Sequence, residues 1–185
     1  MTIIVFSKRI ACAVGVALLA CGAPTSHQAP VTSSAERTEN RLGDFTLKDV
    51  DNNTHSLSDY LGSHVVAISF FATWCEPCKK ELVHLDRIYR AQREKGLIVL
   101  AVSMDEPETQ GEVRPLVKQR NFAFPVLLDT EGTASDLFNP RRDAPYNLII
   151  DRGQSVVWSK AGYTPGDEKR LEDAVLTAIS TAGSP

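Results

Sequence analysis

Val66-Ala67-Ile68-Ser69-Phe70-Phe71-Ala72-Thr73-Trp74-Cys75-Glu76-Pro77-Cys78-Lys79-Lys80-Glu81 runs from an apolar stretch, through a Cys-x-x-Cys pair, into a charged one. Val65 to Phe71 is nearly continuous apolar sequence and predicts a strand covered on both faces. From Cys75 or Glu76 to Glu94 the pattern turns helical, with Leu82, Leu85 and Tyr89 close to one face and Gly96 as the stop. Two thiols three positions apart at a strand-to-helix junction can close into a disulfide and reopen, which points to thiol-disulfide exchange. The attacking species is thiolate, and the free N–H groups and dipole of a helix N-terminus stabilise it.

Within that junction the roles divide by position. Cys75, at the more exposed end, is the expected nucleophile; Cys78, one turn later and facing inward, is the expected resolving thiol. Pro77 lacks a donor that the first helical turn does not need, and its fixed φ stiffens the loop between the sulfurs. Trp74 is expected to shield one side of the site, with core filling as its alternative. Glu76 disfavours the thiolate at Cys75, an effect that Lys79 and Lys80 offset if they approach it. Glu81, three residues past Cys78, is a proton carrier if it is partly buried and an ordinary solvated glutamate if it is not.

The same pair could serve a structural metal or an inert disulfide. A zinc site needs further Cys or His ligands at short spacing. The other cysteines, Cys12 and Cys21, sit in an N-terminal apolar run, His64 precedes the strand, and His84 falls six residues past Cys78. No metal and no bound cofactor is expected.

The chain's first 40 residues concern address. Lys8 and Arg9 precede an eleven-residue apolar run from Ile10 to Ala20, the pattern of a secretory signal and too short to span a bilayer comfortably. Its end, Leu18-Leu19-Ala20-Cys21, resembles the bacterial lipoprotein box, which implies cleavage after residue 20 and lipid on Cys21; an ordinary signal with a chance cysteine is the alternative. Gly22 follows Cys21 where many enterobacterial lipoproteins retained at the inner membrane have aspartate, so the resemblance favours the outer membrane. Residues 21–40, rich in Ser, Thr, Pro and Ala, are expected to be a flexible tether. Residues 41–185 suit one globular domain.

Loss of Lys8 and Arg9 leaves 18 Lys and Arg against 23 Asp and Glu, a net charge near -5. Without a basic cluster, that balance gives no support for nucleic-acid binding.

Outward from the junction, Phe45-Thr46-Leu47 and His55 to Leu57 flank the turn-prone Asp51-Asn52-Asn53 and predict a hairpin. Leu97 to Val102 and Val126 to Leu128 predict strands, and Glu108 to Arg120 a helix. Leu148 to Ile150 and Val156 to Trp158 predict an antiparallel pair around Asp151-Arg152-Gly153. A last helix is predicted from Gly166 or Asp167 to Ile179, with Leu171, Val175 and Ile179 on one face. This order predicts an α/β fold with a mixed sheet.

The segment Val66 to Glu81 resembles the membrane-tethered thioredoxin-like proteins of the TlpA/ResA type, and the similarity covers about residues 41–180. It implies a thioredoxin-like fold, a central mixed sheet flanked by helices, with an N-terminal β-hairpin extension and a central α/β insertion. It also implies an extracytoplasmic disulfide reductase, in several members serving cytochrome c maturation. By the same resemblance Glu81 matches an acidic residue used near the dithiol, and Pro145, in Ala144-Pro145, matches the cis-proline that presents backbone to a partner. The implied partners are disulfide-containing protein clients and a membrane thiol-disulfide electron donor, and a monomer is expected. Three departures bear on the inference. Ser69 stands where thioredoxin has a buried aspartate, leaving Glu81 as the substitute. Arg141-Arg142-Asp143 replaces smaller residues, and Tyr146 replaces a threonine, both beside the expected partner groove.

Two other functions keep a place. A peroxiredoxin-like thiol peroxidase needs a threonine three residues before its cysteine, where this chain has Ala72. A lipid-tethered binding protein or chaperone would keep the fold and exchange thiols only incidentally.

Overall fold

The computed structural model describes residues 42–181; the expected signal and tether, with Cys21, lie outside the described residues. Among the described residues the chain forms β1 (Thr46–Asp49), β2 (Thr54–Ser56), β3 (Val65–Phe71), α1 (Glu76–Gln92), β4 (Leu97–Ser103) and α2 (Val113–Arg120). It continues as β5 (Val126–Leu128), α3 (Thr133–Phe138), β6 (Tyr146–Ile150), β7 (Val156–Ala161) and α4 (Asp167–Thr181). The strands make one sheet in the order β2-β1-β5-β4-β3-β6-β7. The central pairs β3·β4 and β4·β5 are parallel, and the flanking pairs are antiparallel.

The sheet is mixed because of how the connections are built. Crossovers through α1 and α2 return the chain parallel to its previous strand, whereas short turns at Asp51-Asn52-Asn53 and Asp151-Arg152-Gly153 permit only antiparallel pairing. In the first turn the buried Asp49 carboxylate accepts from the N–H groups of Asp51 and Asn53 at 2.8 and 2.9 Å, which lets Asn52 take its positive φ of 69°.

Both faces of the sheet are covered, as the unbroken apolar run of β3 requires. Val65, Ala67 and Phe71 face a core with Leu82, Leu85 and Ile88 of α1 and Leu171, Val175 and Ala178 of α4. Val66, Ile68 and Phe70 face a second core with Phe45, Leu57, Leu127 and Ala134. Strand alternation assigns Ser69, which is 1% exposed, to the α1 side. Both cysteines belong to that first core.

Most predicted elements are present, with differences that have physical causes. The hairpin strands end later and earlier than predicted, and Leu57 begins a 3-10 turn instead of lying in β2. The helix predicted over Glu108 to Arg120 is α-helical only from Val113, after a 3-10 turn at Gln110–Glu112. Starting at Val113 places Pro115 in the first turn, where its missing N–H costs no helical hydrogen bond. The helix α3 is not predicted by the sequence pattern. It is held at its start by Asp129, whose carboxylate accepts from Ala134 N, Ser135 N and the Ser135 hydroxyl at 3.1, 2.8 and 2.6 Å. The whole is a thioredoxin-like fold with the N-terminal hairpin and inserted α/β elements that the resemblance implies.

Candidate functional site

The helix α1 begins at its disulfide. Cys75 is the N-cap residue, in extended conformation, and its Sγ accepts from the Cys78 N–H at 3.2 Å. The Cys75–Cys78 bond is closed, with Cα atoms 5.2 Å apart. Pro77 lies in the first turn, as predicted.

The loop before Cys75 is tied down by a residue the sequence does not single out. Thr73 donates both its N–H and its hydroxyl to the carboxylate of Asp105, just past β4. The Ser103 hydroxyl donates to the same group at 2.8 Å. Asp105 is buried, so these charge-assisted bonds face little competition from water.

Exposure separates the two cysteines less than the sequence implies, since Cys75 is 5% and Cys78 1% exposed. Trp74 is 65% exposed, which removes the core-filling alternative. With Thr73, Lys79, Pro115 and Leu116 it lines a depression of about 530 Å³ reaching to α2. Glu76 points into solvent and pairs with Lys79. That hydrogen bond holds its carboxyl below the usual range, and the charges of Lys79, Lys80 and Arg120 act the same way. Lys79, one of the two lysines the sequence nominates, thus sits against the Glu76 carboxylate and opposes its charge.

Glu81 is buried at 3% exposure, not solvated. Asn147 Nδ2, from β6, donates to its Oε2 at 2.7 Å. Burial pushes the Glu81 carboxyl above its ordinary value of 4.5; the Asn147 bond and the Lys160 charge oppose the rise, while Asp167 and Glu168 add to it. Lys160 itself pairs with the buried Asp167 at 2.8 Å.

A carboxyl raised in the folded state makes stability fall with pH. Above about 4.5 the unfolded chain gives up its proton first, so folding loses free energy until the raised folded value is passed. E81Q cannot ionise, so the Tm difference between E81Q and wild type is expected to shift in favour of E81Q as pH rises from about 4 to about 8. Thermal melts of both oxidised proteins across that range check this; parallel curves would contradict it.

The Ala144-Pro145 peptide is cis. Ala144 packs on the core that contains both cysteines, and Asn147, two residues on, reaches Glu81, so the X-Pro turn and the dithiol lie at the same end of the fold. Asn147 is the second residue that sequence reasoning misses; the only available signal was one polar letter inside an apolar strand. Among the described residues, no group of three or more His, Cys, Asp or Glu side chains is placed to hold a metal ion.

With this geometry established, comparison with known proteins gives a family. The model described as the AhpC/TSA family matches residues 38–159, well over half of the chain. The chain belongs to the AhpC/TSA family. Among relatives of this AhpC/TSA chain, the thiol-disulfide oxidoreductase ResA of Geobacillus kaustophilus is 30% identical over 113 residues, covering 61% of the chain and 63% of ResA. The chain thus spans a little under two thirds of that relative's length. Of solved structures, a provisionally assigned thiol:disulfide interchange protein DsbE from Chlorobium tepidum superposes with a TM-score of 0.68 at 28% identity, covering 75% of this chain and 95% of that one. The pneumococcal exposed lipoprotein thioredoxin of Streptococcus pneumoniae gives a TM-score of 0.60 at 26% identity, covering 75% and 99%. Within the AhpC/TSA family, this chain is a thioredoxin-fold protein related to the ResA and DsbE thiol-disulfide oxidoreductases.

Proposed function

We propose that the protein is an extracytoplasmic thiol-disulfide oxidoreductase that reduces disulfides of protein clients through Cys75 and Cys78. One arrangement carries this reading: a closable dithiol caps α1, and a buried carboxyl stands one helical turn behind its second cysteine. In the reduced protein the Cys75 thiolate attacks a client disulfide and releases one client sulfur as thiolate. Cys78 then gives its proton to the Glu81 carboxylate and attacks Cys75 Sγ in the mixed disulfide. The second client sulfur leaves, so two electrons have passed to the client and Cys75–Cys78 is oxidised. The Glu81 proton passes to solvent or to the departing thiolate, and a membrane thiol-disulfide donor restores the dithiol. Trp74 and the backbone at Pro145 border the client; Glu76 is held by Lys79.

The signal-like start, the lipoprotein-like box at Cys21 and the likeness to an exposed lipoprotein thioredoxin support a cell-envelope lipoprotein facing the periplasm. Its leader is 1–20, its tether 21–40 and its catalytic domain 41–185. The outer membrane is favoured over the inner, the protein works as a monomer, and service to cytochrome c maturation is the client role that the ResA resemblance supports.

The family's name also raises thiol peroxidase activity, and the residues oppose it. Ala72 offers no hydroxyl at the expected position, and the neighbouring Thr73 hydroxyl is bound to Asp105. Reduced protein is therefore expected to cleave insulin disulfides while consuming hydrogen peroxide at the buffer rate. Peroxide turnover exceeding insulin reduction would overturn the assignment. Full complementation of a deletion by a C75S/C78S double variant would favour a binding protein instead.

A further inference from the structure

Asn147 interrupts an apolar strand. It is 1% exposed, and its β6 neighbours Leu148, Ile149 and Ile150 are buried around it. Its cross-strand partners are Ser69 on β3 and Lys160 on β7. One end of its amide is used, by the 2.7 Å bond to Glu81. The other end is not: Asn147 Oδ1 is buried without a hydrogen-bond partner. A half-satisfied amide is costly where a leucine would pack, so this position calls for a reason beyond stability.

The chemistry of the partner supplies one. An ionised carboxylate only accepts hydrogen bonds, whereas a protonated carboxyl also offers an O–H donor. An amide matches both states if it can turn over. The Nδ2 bond seen here suits either state, since a protonated carboxyl keeps an acceptor oxygen; on protonation the unpartnered Oδ1 is the acceptor that the amide can bring to the new O–H. Leucine matches neither state.

We infer that Asn147 is a positioning residue whose amide follows the protonation of Glu81, holding the carboxyl in place in both states and keeping its proton exchangeable. This rests on the proton-accepting reading of Glu81 above and adds the group that makes it workable. Burial favours the protonated form, and a Glu81 that never ionises cannot take the Cys78 proton. The charged and titratable groups that act on Glu81 are Lys160 on β7, Tyr163 in the loop after β7, and Asp167 and Glu168 at the start of α4, with Cys78 three residues before it on α1. Lys160 is shared with Asp167, and the two acids oppose ionisation, so the hydrogen bond from Asn147 is the contact that supports it among the described residues.

The test uses the full chain as wild type, E81Q, N147L and N147T. Reduced protein is mixed with a peptide disulfide, and the rate at which Cys78 resolves the mixed disulfide is followed against pH. In parallel, NMR follows the Glu81 carboxyl carbon and the Asn147 side-chain amide of the wild type. The two wild-type signals are expected to titrate with one midpoint. N147L is expected to move the Glu81 midpoint and the rising limb of the rate to higher pH, with resolution on that limb about tenfold slower at a given pH for each unit of displacement. N147T, which can donate and accept, recovers part of that loss. E81Q lacks this limb and gains rate only as the Cys78 thiol itself titrates.

Other results separate the failures. If E81Q changes the profile and N147L leaves it unaltered, the Asn147 role is wrong and the Glu81 reading survives. If E81Q also keeps the wild-type profile, both fall. Wild-type amide signals that stay fixed while Glu81 titrates overturn the proposal even if N147L does not fold.

Discussion

The C75S variant is expected to reduce no client disulfide, with insulin turnover at least about a thousandfold below wild type, because a serine alcohol is not a workable nucleophile toward sulfur. The asymmetry of the site sharpens this expectation. Cys75 sits at the cap, where its sulfur meets the Cys78 N–H and the positive end of the α1 dipole. Cys78 lies inside the first turn and is more completely enclosed. C78S should therefore lose multiple turnover too, yet accumulate a stable mixed disulfide with clients through Cys75. Non-reducing gels of envelope extracts, with trapped partners released by dithiothreitol, read this directly. Trapping by C75S in place of C78S would reverse the two roles.

A second large effect is expected far from the cysteines in sequence. D105A strips the acceptor from Thr73 N–H, the Thr73 hydroxyl and the Ser103 hydroxyl in a buried setting. Leaving such donors unmet costs about 3 kcal/mol in sum. For a domain of this size that lowers Tm by about 10 °C. Because Thr73 lies two residues before Cys75, D105A should also slow client reduction beyond what unfolding accounts for. Thermal melts and rates measured well below the transition separate the two effects. A Tm within a degree or two of wild type would show that the loop is held by something else.

The two residues that hold the site from outside were the ones least legible in the sequence. The strand-to-helix junction could be read because its signals are local: an unbroken apolar run, two cysteines at one spacing, a proline in the first turn. Glu81 could be nominated by its offset from Cys78, and Pro145 by resemblance. Asp105 and Asn147 act through contacts 32 and 66 residues away along the chain. Neither distance leaves a trace in periodicity, and a single Asp in a loop or Asn in a strand has many ordinary explanations. The helix α3 was missed for a related reason. Its six residues are too few to show a helical period, and Asp129, which holds its first turn, precedes it by four positions.

The register of β6 against β3 sets how this protein tolerates insertions and deletions. Side chains alternate between faces, so a slip of one residue would exchange the two faces of the strand. Ser69 opposite Asn147 is the register observed. Adding or removing one residue between Pro145 and Asn147 would turn the amide toward the opposite core and bring a tyrosine or leucine beneath Glu81. The turn at Asp151-Arg152-Gly153 lies beyond the last Glu81 contact on β6 and can change length without moving that amide. Of these two intervals, length variation in related chains is expected in that turn, with the interval from proline to amide kept constant.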